Sequence, residues 1–216
     1  MNIVLIEGLP GTGKSTLAET LKLKFEGEGR KACEYTELSK DHPIFTLKFE
    51  KDARDENYLE SDLTKWTEFL STNDNEAIHI FDAAPFQNSI RYSLEFRNEN
   101  KINNYINQFQ RELGPHNASL IYLRPKSAKE QIEYCLSVKG DDWVKNITKY
   151  YENVPHSQVR NREGIDGLKA FWNDYAELCI GLMENISIPS KIIRFAPGEW
   201  ARVNREVFGF LARSLA

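Results

Sequence analysis

One stretch near the N-terminus limits the folds open to this chain. Gly8-Leu9-Pro10-Gly11-Thr12-Gly13-Lys14-Ser15, continued by Thr16, fits the spacing G-x-x-x-x-G-K-[ST] at every fixed position. The apolar run Ile3-Val4-Leu5-Ile6 before it reads as a strand. Leu17, Leu21 and Phe25, four apart, read as a helix that opens near Lys14 and stops at Gly27 and Gly29. A strand, a glycine-rich turn and a helix in that order gather backbone N–H groups and a positive helix end around one point. The alternative, a glycine turn that only links a strand to a helix, loses to this register of all three parts. Residues 8–16 are therefore the expected nucleotide-binding loop. Lys14 is expected to reach the β- and γ-phosphates of ATP, and the Ser15 hydroxyl to take one position on Mg²⁺.

The rest of the chain alternates strand and helix. Ala32–Tyr35 is a weak second strand, Ala77–Phe81 a third with Asp82 at its end, Leu120–Leu123 a fourth and Lys191–Phe195 a fifth. Helical spacing appears at Leu63, Trp66 and Leu70, with Ser61 as a candidate cap, and at Ile102–Leu113, ended by Gly114-Pro115. Ser127 and Glu130 form a capping box, and Leu168–Leu182 is the longest apolar stripe. Val203, Val207 and Leu211 mark the last helix. The stretch from Ser39 to Tyr58, polar and poorly periodic around His42-Pro43, is assigned to the substrate side, which makes His42 a candidate contact. This pattern predicts a single α/β domain over 1–216, a three-layer fold with a parallel sheet and helices on both faces. Ligands bind such sheets beyond the carboxyl ends of the strands, where the phosphate loop and Asp82 both fall.

Asp82 follows four mostly apolar strand residues. Phosphoryl transfer needs an acid there to hold Mg²⁺ or to accept the proton of the attacking hydroxyl, and the sequence leaves both roles open. The plainer reading is a cap on the turn Ala83-Ala84-Pro85. Between strands four and five, residues 139–164 are polar, basic and punctuated by glycine, as expected of a lid. Within it Arg160 and Arg162 are the candidates for the transferring phosphoryl, although any one arginine is more often solvated surface charge. Their alternation along a loop suggests that only one points inward. Gln87 and Arg124 are further candidates for binding the acceptor; Arg91 and Arg97 follow Asp82 on an expected helix. Glu7 either stands near the metal or bonds to backbone at a strand end. Trp66, Phe86, Tyr92 and Trp143 offer flat faces, each more often used in packing. The four histidines show no zinc spacing, and His79 reads as a hydrogen-bonded core residue.

Bulk properties narrow the partners. A formal net charge of -4 gives no general attraction to nucleic acid, so none is expected as a partner. No apolar run approaches the roughly 18 residues of a membrane span. Cys33, Cys135 and Cys179 are widely spaced, and they read as small hydrophobes in a reducing, cytoplasmic setting. The oligomeric state stays open, a homodimer included.

Glu7-Gly8 leading into Gly11-Thr12-Gly13-Lys14-Ser15-Thr16 resembles the opening of thymidylate kinase and the deoxynucleoside kinases. Asp82 stands where those families place an acid at the end of strand three. Phe171 to Leu178 resembles the helix after their lid. Over most of its length the chain is similar to a group of bacterial thymidylate kinase-like proteins, through His42-Pro43, Phe86-Gln87-Asn88 and Gly164-Ile165-Asp166-Gly167-Leu168. The resemblance implies a five-stranded sheet in the order 2-3-1-4-5, a lid and ATP-dependent transfer to a small-molecule acceptor. One departure matters. The Asp-Arg-Tyr and Glu-Arg-Ser signatures of those families are Asp82-Ala83-Ala84 here, so the arginine that grips their acceptor is missing from its usual place.

The leading functional expectation is a small-molecule kinase acting on a nucleoside, a nucleotide or another hydroxyl compound such as an antibiotic. The alternative is a nucleotide-binding switch or regulator with a protein partner; no Asn-Lys-x-Asp signature supports a guanine-specific version.

Overall fold

A computed structural model describes residues 1–37, 39, 42–44, 57–73 and 76–215. Most of the segment assigned above to the substrate side, between Ser39 and Tyr58, lies outside these residues. The strands are β1 (Asn2–Gly8), β2 (Ala32–Tyr35), β3 (Ile78–Asp82), β4 (Asn117–Pro125) and β5 (Ser190–Phe195). All pair in parallel, in the order β2-β3-β1-β4-β5. This is the order implied by the resemblance.

Alternation along β1 divides the interior in two. Ile3 and Leu5 point into a core with Trp66, Phe81, Phe109, Phe171 and Trp172. Val4 and Ile6 point the other way, onto Leu17, Leu21, Phe25, Val203 and Val207. A strand buried on both faces must be apolar throughout, which is why Ile3–Ile6 shows no alternation in sequence. Each such side chain contributes about 1.5–3 kcal/mol of transfer free energy, so the strand that carries the phosphate loop is firmly anchored in the sheet.

The second of these cores is closed by α1 (Lys14–Gly27) and α9 (Trp200–Ser214), and the first by α2 (Tyr58–Thr72), α4 (Glu99–Leu113), α5 (Ala128–Val138) and α8 (Gly164–Met183). After β3 the chain turns through Ala83, at φ 70°, into a π-helical turn (Phe86–Ile90) and α3 (Arg91–Glu95). Between α5 and α8 lie α6 (Asp141–Glu152) and the short α7 (Pro155–Gln158).

Two local expectations meet different outcomes. Ser127 caps α5 as read, its Oγ accepting from the Glu130 amide at 3.1 Å. Ser61 caps nothing, because α2 begins three residues earlier and the Ser61 amide already donates to the Asn57 carbonyl at 2.9 Å. The sequence reading also missed α6, whose residues Trp143, Ile147 and Tyr151 recur at four-residue spacing on one face. Among the described residues, no helix is long and apolar enough to cross a membrane.

Candidate active site at the carboxyl edge of the sheet

The phosphate loop leaves β1 at Gly8 and enters α1 at Lys14. Gly13 sits at φ 82°, and a Cβ there would lie 2.3 Å from the Trp200 ring at the start of α9. Only glycine permits both the left-handed backbone and that approach. Trp200 thus lies against the loop, a contact no local sequence signal announces. Thr12 Oγ1 donates to the Leu9 carbonyl at 2.8 Å and closes the turn. Lys14 is buried; its Nζ donates to the carbonyls of Gly8 and Leu9 at 3.2 Å each. A lysine held this way is poised beside the loop amides, and a phosphate would compete for its three donors.

Asp82 ends β3, the neighbour of β1. In-register pairing of Ile6 with Asp82 places the carboxylate beside the loop. Ser15 Oγ donates to Asp82 Oδ2 at 2.5 Å, and Asp82 Oδ1 is buried with no hydrogen-bond partner. Burial raises the Asp82 carboxyl above its ordinary value, opposed by Lys14 and by the Ser15 hydroxyl. A buried carboxylate oxygen without a partner, next to a hydroxyl, suits a hard cation such as Mg²⁺. Among the described residues, no group of three or more His, Cys, Asp or Glu side chains is placed to hold a metal alone. A Mg²⁺ bound through one or two protein oxygens, with phosphates and water completing its shell, needs no such group.

Glu7, the residue before the loop, is fully buried. Its two carboxylate oxygens accept the backbone amides of Phe86 and Gln87 at 2.6 and 3.2 Å. Burial outweighs those bonds and the nearby Lys14 and pushes its carboxyl up to about 8. Of the two sequence readings, the backbone-bonded one describes these contacts. Glu7 ties the end of β1 to the turn that carries Gln87.

These groups open onto a cleft of about 740 Å³. Its floor is the loop, its side is Asp82, Gln87, Arg91 and Glu37, and its far wall is Lys139, Trp143, Ile147, Tyr151 and Trp172. Gln87 Nε2 donates to Glu37 Oε2 at 2.6 Å. Arg91 was read from sequence only as a basic residue on a helix; here it reaches the cleft. Its Nε donates to the Gln87 carbonyl at 2.8 Å, and its Nη1 donates to Glu95 Oε1 at 2.5 Å and Tyr151 Oη at 2.9 Å.

The structure brings Lys14, Ser15, Asp82 and Gln87 together and leaves His42, Arg124, Arg160 and Arg162 off the cleft lining. Arg162 forms a two-point pair with Asp174 of α8, at 2.7 and 3.3 Å. Exposed Arg160 donates to the His156 carbonyl at 3.2 Å. Local pairing therefore holds one arginine and local backbone the other. Arg124, at the end of β4, the neighbour of β1, is in register with Arg194 of β5 and lies outside the lining. His42 is buried between the rings of Tyr35 and Phe81, at centroid distances of 6.0 and 5.8 Å, and burial lowers it to about 4. It packs behind the cleft as a neutral ring. Of the flat side chains, Trp66 and Phe86 are wholly buried, and Trp143 reaches the cleft. His79 is a core residue as read, its Nδ1 3.1 Å from Tyr35 Oη.

The family model described as chromatin associated protein KTI12 matches residues 1–108, half of the chain. No curated protein matches the sequence. Among solved structures, thymidylate kinase from Candida albicans is similar with a TM-score of 0.55 and 15% identity, covering 98% of this chain and 91% of that one. A gluconokinase from Sinorhizobium meliloti 1021 gives 0.53 and 14%, covering 98% and 92%. The YorR protein from Bacillus subtilis, solved with phosphorylated GDP, gives 0.51 and 13%, covering 98% and 96%. At these identities the likeness is one of fold: this is the α/β P-loop fold, with the sheet order already described.

Proposed function

This chain belongs to the KTI12 family, and we propose that it is an ATP- and Mg²⁺-dependent kinase that phosphorylates a small molecule. The observation that carries the reading is the junction of Ser15 and Asp82 at the mouth of the phosphate loop, with Lys14 alongside. In this reading Ser15 Oγ and Asp82 are the protein oxygens for the metal, which would neutralise charge on the β- and γ-phosphates. The loop amides hold the phosphates, and Lys14 turns from the Gly8 and Leu9 carbonyls onto them. An acceptor hydroxyl attacks the γ-phosphorus, the bond to the β–γ bridging oxygen breaks, and ADP leaves; the hydroxyl proton passes to a base or to water. Such transfer is loose, so positioning and charge neutralisation do most of the work. The acceptor lies in the half of the cleft lined by Gln87, Arg91 and Trp143, and residues 139–164 serve as the lid, with Lys139 rather than Arg160 or Arg162 as its cleft-facing cation.

The names of the similar solved structures, a gluconokinase and a thymidylate kinase, are in keeping with transfer to a small molecule. The description of the family favours a second reading, a nucleotide-dependent regulator acting on a protein partner. Phosphoryl transfer from ATP, assayed over nucleosides, nucleotides and hydroxyl-bearing antibiotics, separates the two. A kinase releases ADP in step with acceptor phosphorylation; a regulator hydrolyses ATP regardless of acceptor and responds to its partner.

A further inference from the structure

Two polar groups in the acceptor half of the cleft have hydrogen-bonding capacity left over. The first is Gln87. Its side chain is buried, and because the Glu37 carboxylate only accepts, the amide nitrogen must face Glu37. That leaves Oε1, which has no partner, on a residue lining the cleft. A buried carbonyl without a donor has lost its water and gained no partner, so it is a place where a ligand gains.

Arg91 is the second. Its Nε is taken by the Gln87 carbonyl, and both N–H groups of Nη1 are taken, by Glu95 and Tyr151. The Tyr92 ring lies under the guanidinium, 4.3 Å from Cζ. Glu95 is wholly buried and is itself fixed, its other oxygen accepting from Tyr150 Oη at 2.7 Å. The fork is therefore locked from the interior side, and none of these bonds engages Nη2. Arg91 lines the same cleft as Gln87, one turn further along the segment that begins just after Asp82. An immobilised guanidinium with one edge open matches the planar oxygens of a carboxylate or phosphate.

We infer, on the basis of the kinase reading, that the acceptor carries an anionic group bound by the Nη2 edge of Arg91 and an N–H or O–H that donates to Gln87 Oε1. Arg91 then supplies the cation that the Asp82-Ala83-Ala84 sequence lacks at its usual place. A link that served only to hold α3 against α6 would already be complete through Nη1; it gives no reason for Gln87 Oε1 to be buried without a partner.

The test uses the full chain loaded with a non-hydrolysable ATP analogue and Mg²⁺, so that the phosphate loop is filled. Inorganic phosphate and acetate are then titrated separately, with the fluorescence of the tryptophans, two of which line the cleft, as the signal. Removing Arg91 alone strands Glu95, so the paired variant Arg91→Gln/Glu95→Gln is used. Arg91→Lys, which keeps the charge and loses the fork, is measured beside it in case the pair does not fold. The expected result is saturable binding of at least one anion, weakened about tenfold or more in either variant while analogue loading is unchanged. Tighter binding of phosphate identifies a phosphorylated acceptor, and tighter binding of acetate an acid. Loaded wild-type protein that binds neither anion, or variants that bind as well as wild type, overturn the inference. Failure of the wild-type chain to load the analogue overturns the kinase reading itself.

Discussion

Ser15 and Asp82, 67 residues apart, share a 2.5 Å hydrogen bond that joins the first turn of α1 to the end of β3. Parallel pairing of β1 with β3 makes that meeting unavoidable, since Ile6 and Asp82 are register partners. The bond occupies one oxygen of Asp82 and leaves the other buried and unpaired.

Asp82→Asn tests what that oxygen does. The amide has the same shape but little power to hold a cation, so turnover should fall about a hundredfold or more, with affinity for an ATP analogue changed far less. Steady-state kinetics beside an analogue titration give both numbers. An unchanged rate would make Asp82 a turn cap.

Lys14→Ala should remove most activity and weaken nucleotide binding about tenfold or more, because a charge-assisted contact to phosphate is lost. The fold should survive, since Nζ meets only the Gly8 and Leu9 carbonyls of its own loop. Circular dichroism and analogue titration check the two halves separately. A variant that transfers phosphate at the wild-type rate would remove the loop from the mechanism.

The parts of this site that were legible in the sequence are those set by local geometry. Residues 8–16 carry their spacing in one segment, and Asp82 is marked by the apolar run before it. What stayed hidden depends on distant partners. Asp174 takes Arg162 into a pair that no loop pattern reveals. Arg91 becomes a cleft residue only because Glu95 and Tyr151 lock it there. Helix α6 was within reach, through the spacing of Trp143, Ile147 and Tyr151, but the charged stretch from Lys139 to Asp142 reads as loop. Ser61 misled because Tyr58 and Leu59 extend α2 past the first obvious apolar position.

Glu7 makes stability depend on pH. Its carboxyl stands near 8 in the fold against an ordinary 4.5, so between those values the folded chain holds a proton that the unfolded chain has released. This contribution is whole below the ordinary value and is lost as pH rises toward 8, with a slope of at most about 1.4 kcal/mol per pH unit. Urea unfolding across that range should show the decline in wild type and its absence in Glu7→Gln, whatever the variant's absolute stability. Parallel curves for the two proteins would remove Glu7 as the cause.

The segment from Lys139 to Gly164 should gain protection from hydrogen exchange when nucleotide and acceptor are both present. Its cleft-facing side chains Lys139, Trp143, Ile147 and Tyr151 then meet ligand instead of water. Protection confined to residues 8–16 under every condition would count against a lid.

The central claim is acceptor-dependent phosphoryl transfer, and the most direct measurement follows the γ-phosphate of labelled ATP. The wild-type chain with Mg²⁺ should move label onto one member of an acceptor panel, with one ADP formed for each label transferred, and Lys14→Ala should not. ATP hydrolysis that proceeds at the same rate with and without every acceptor, and that rises only when a protein partner is added, would contradict the account.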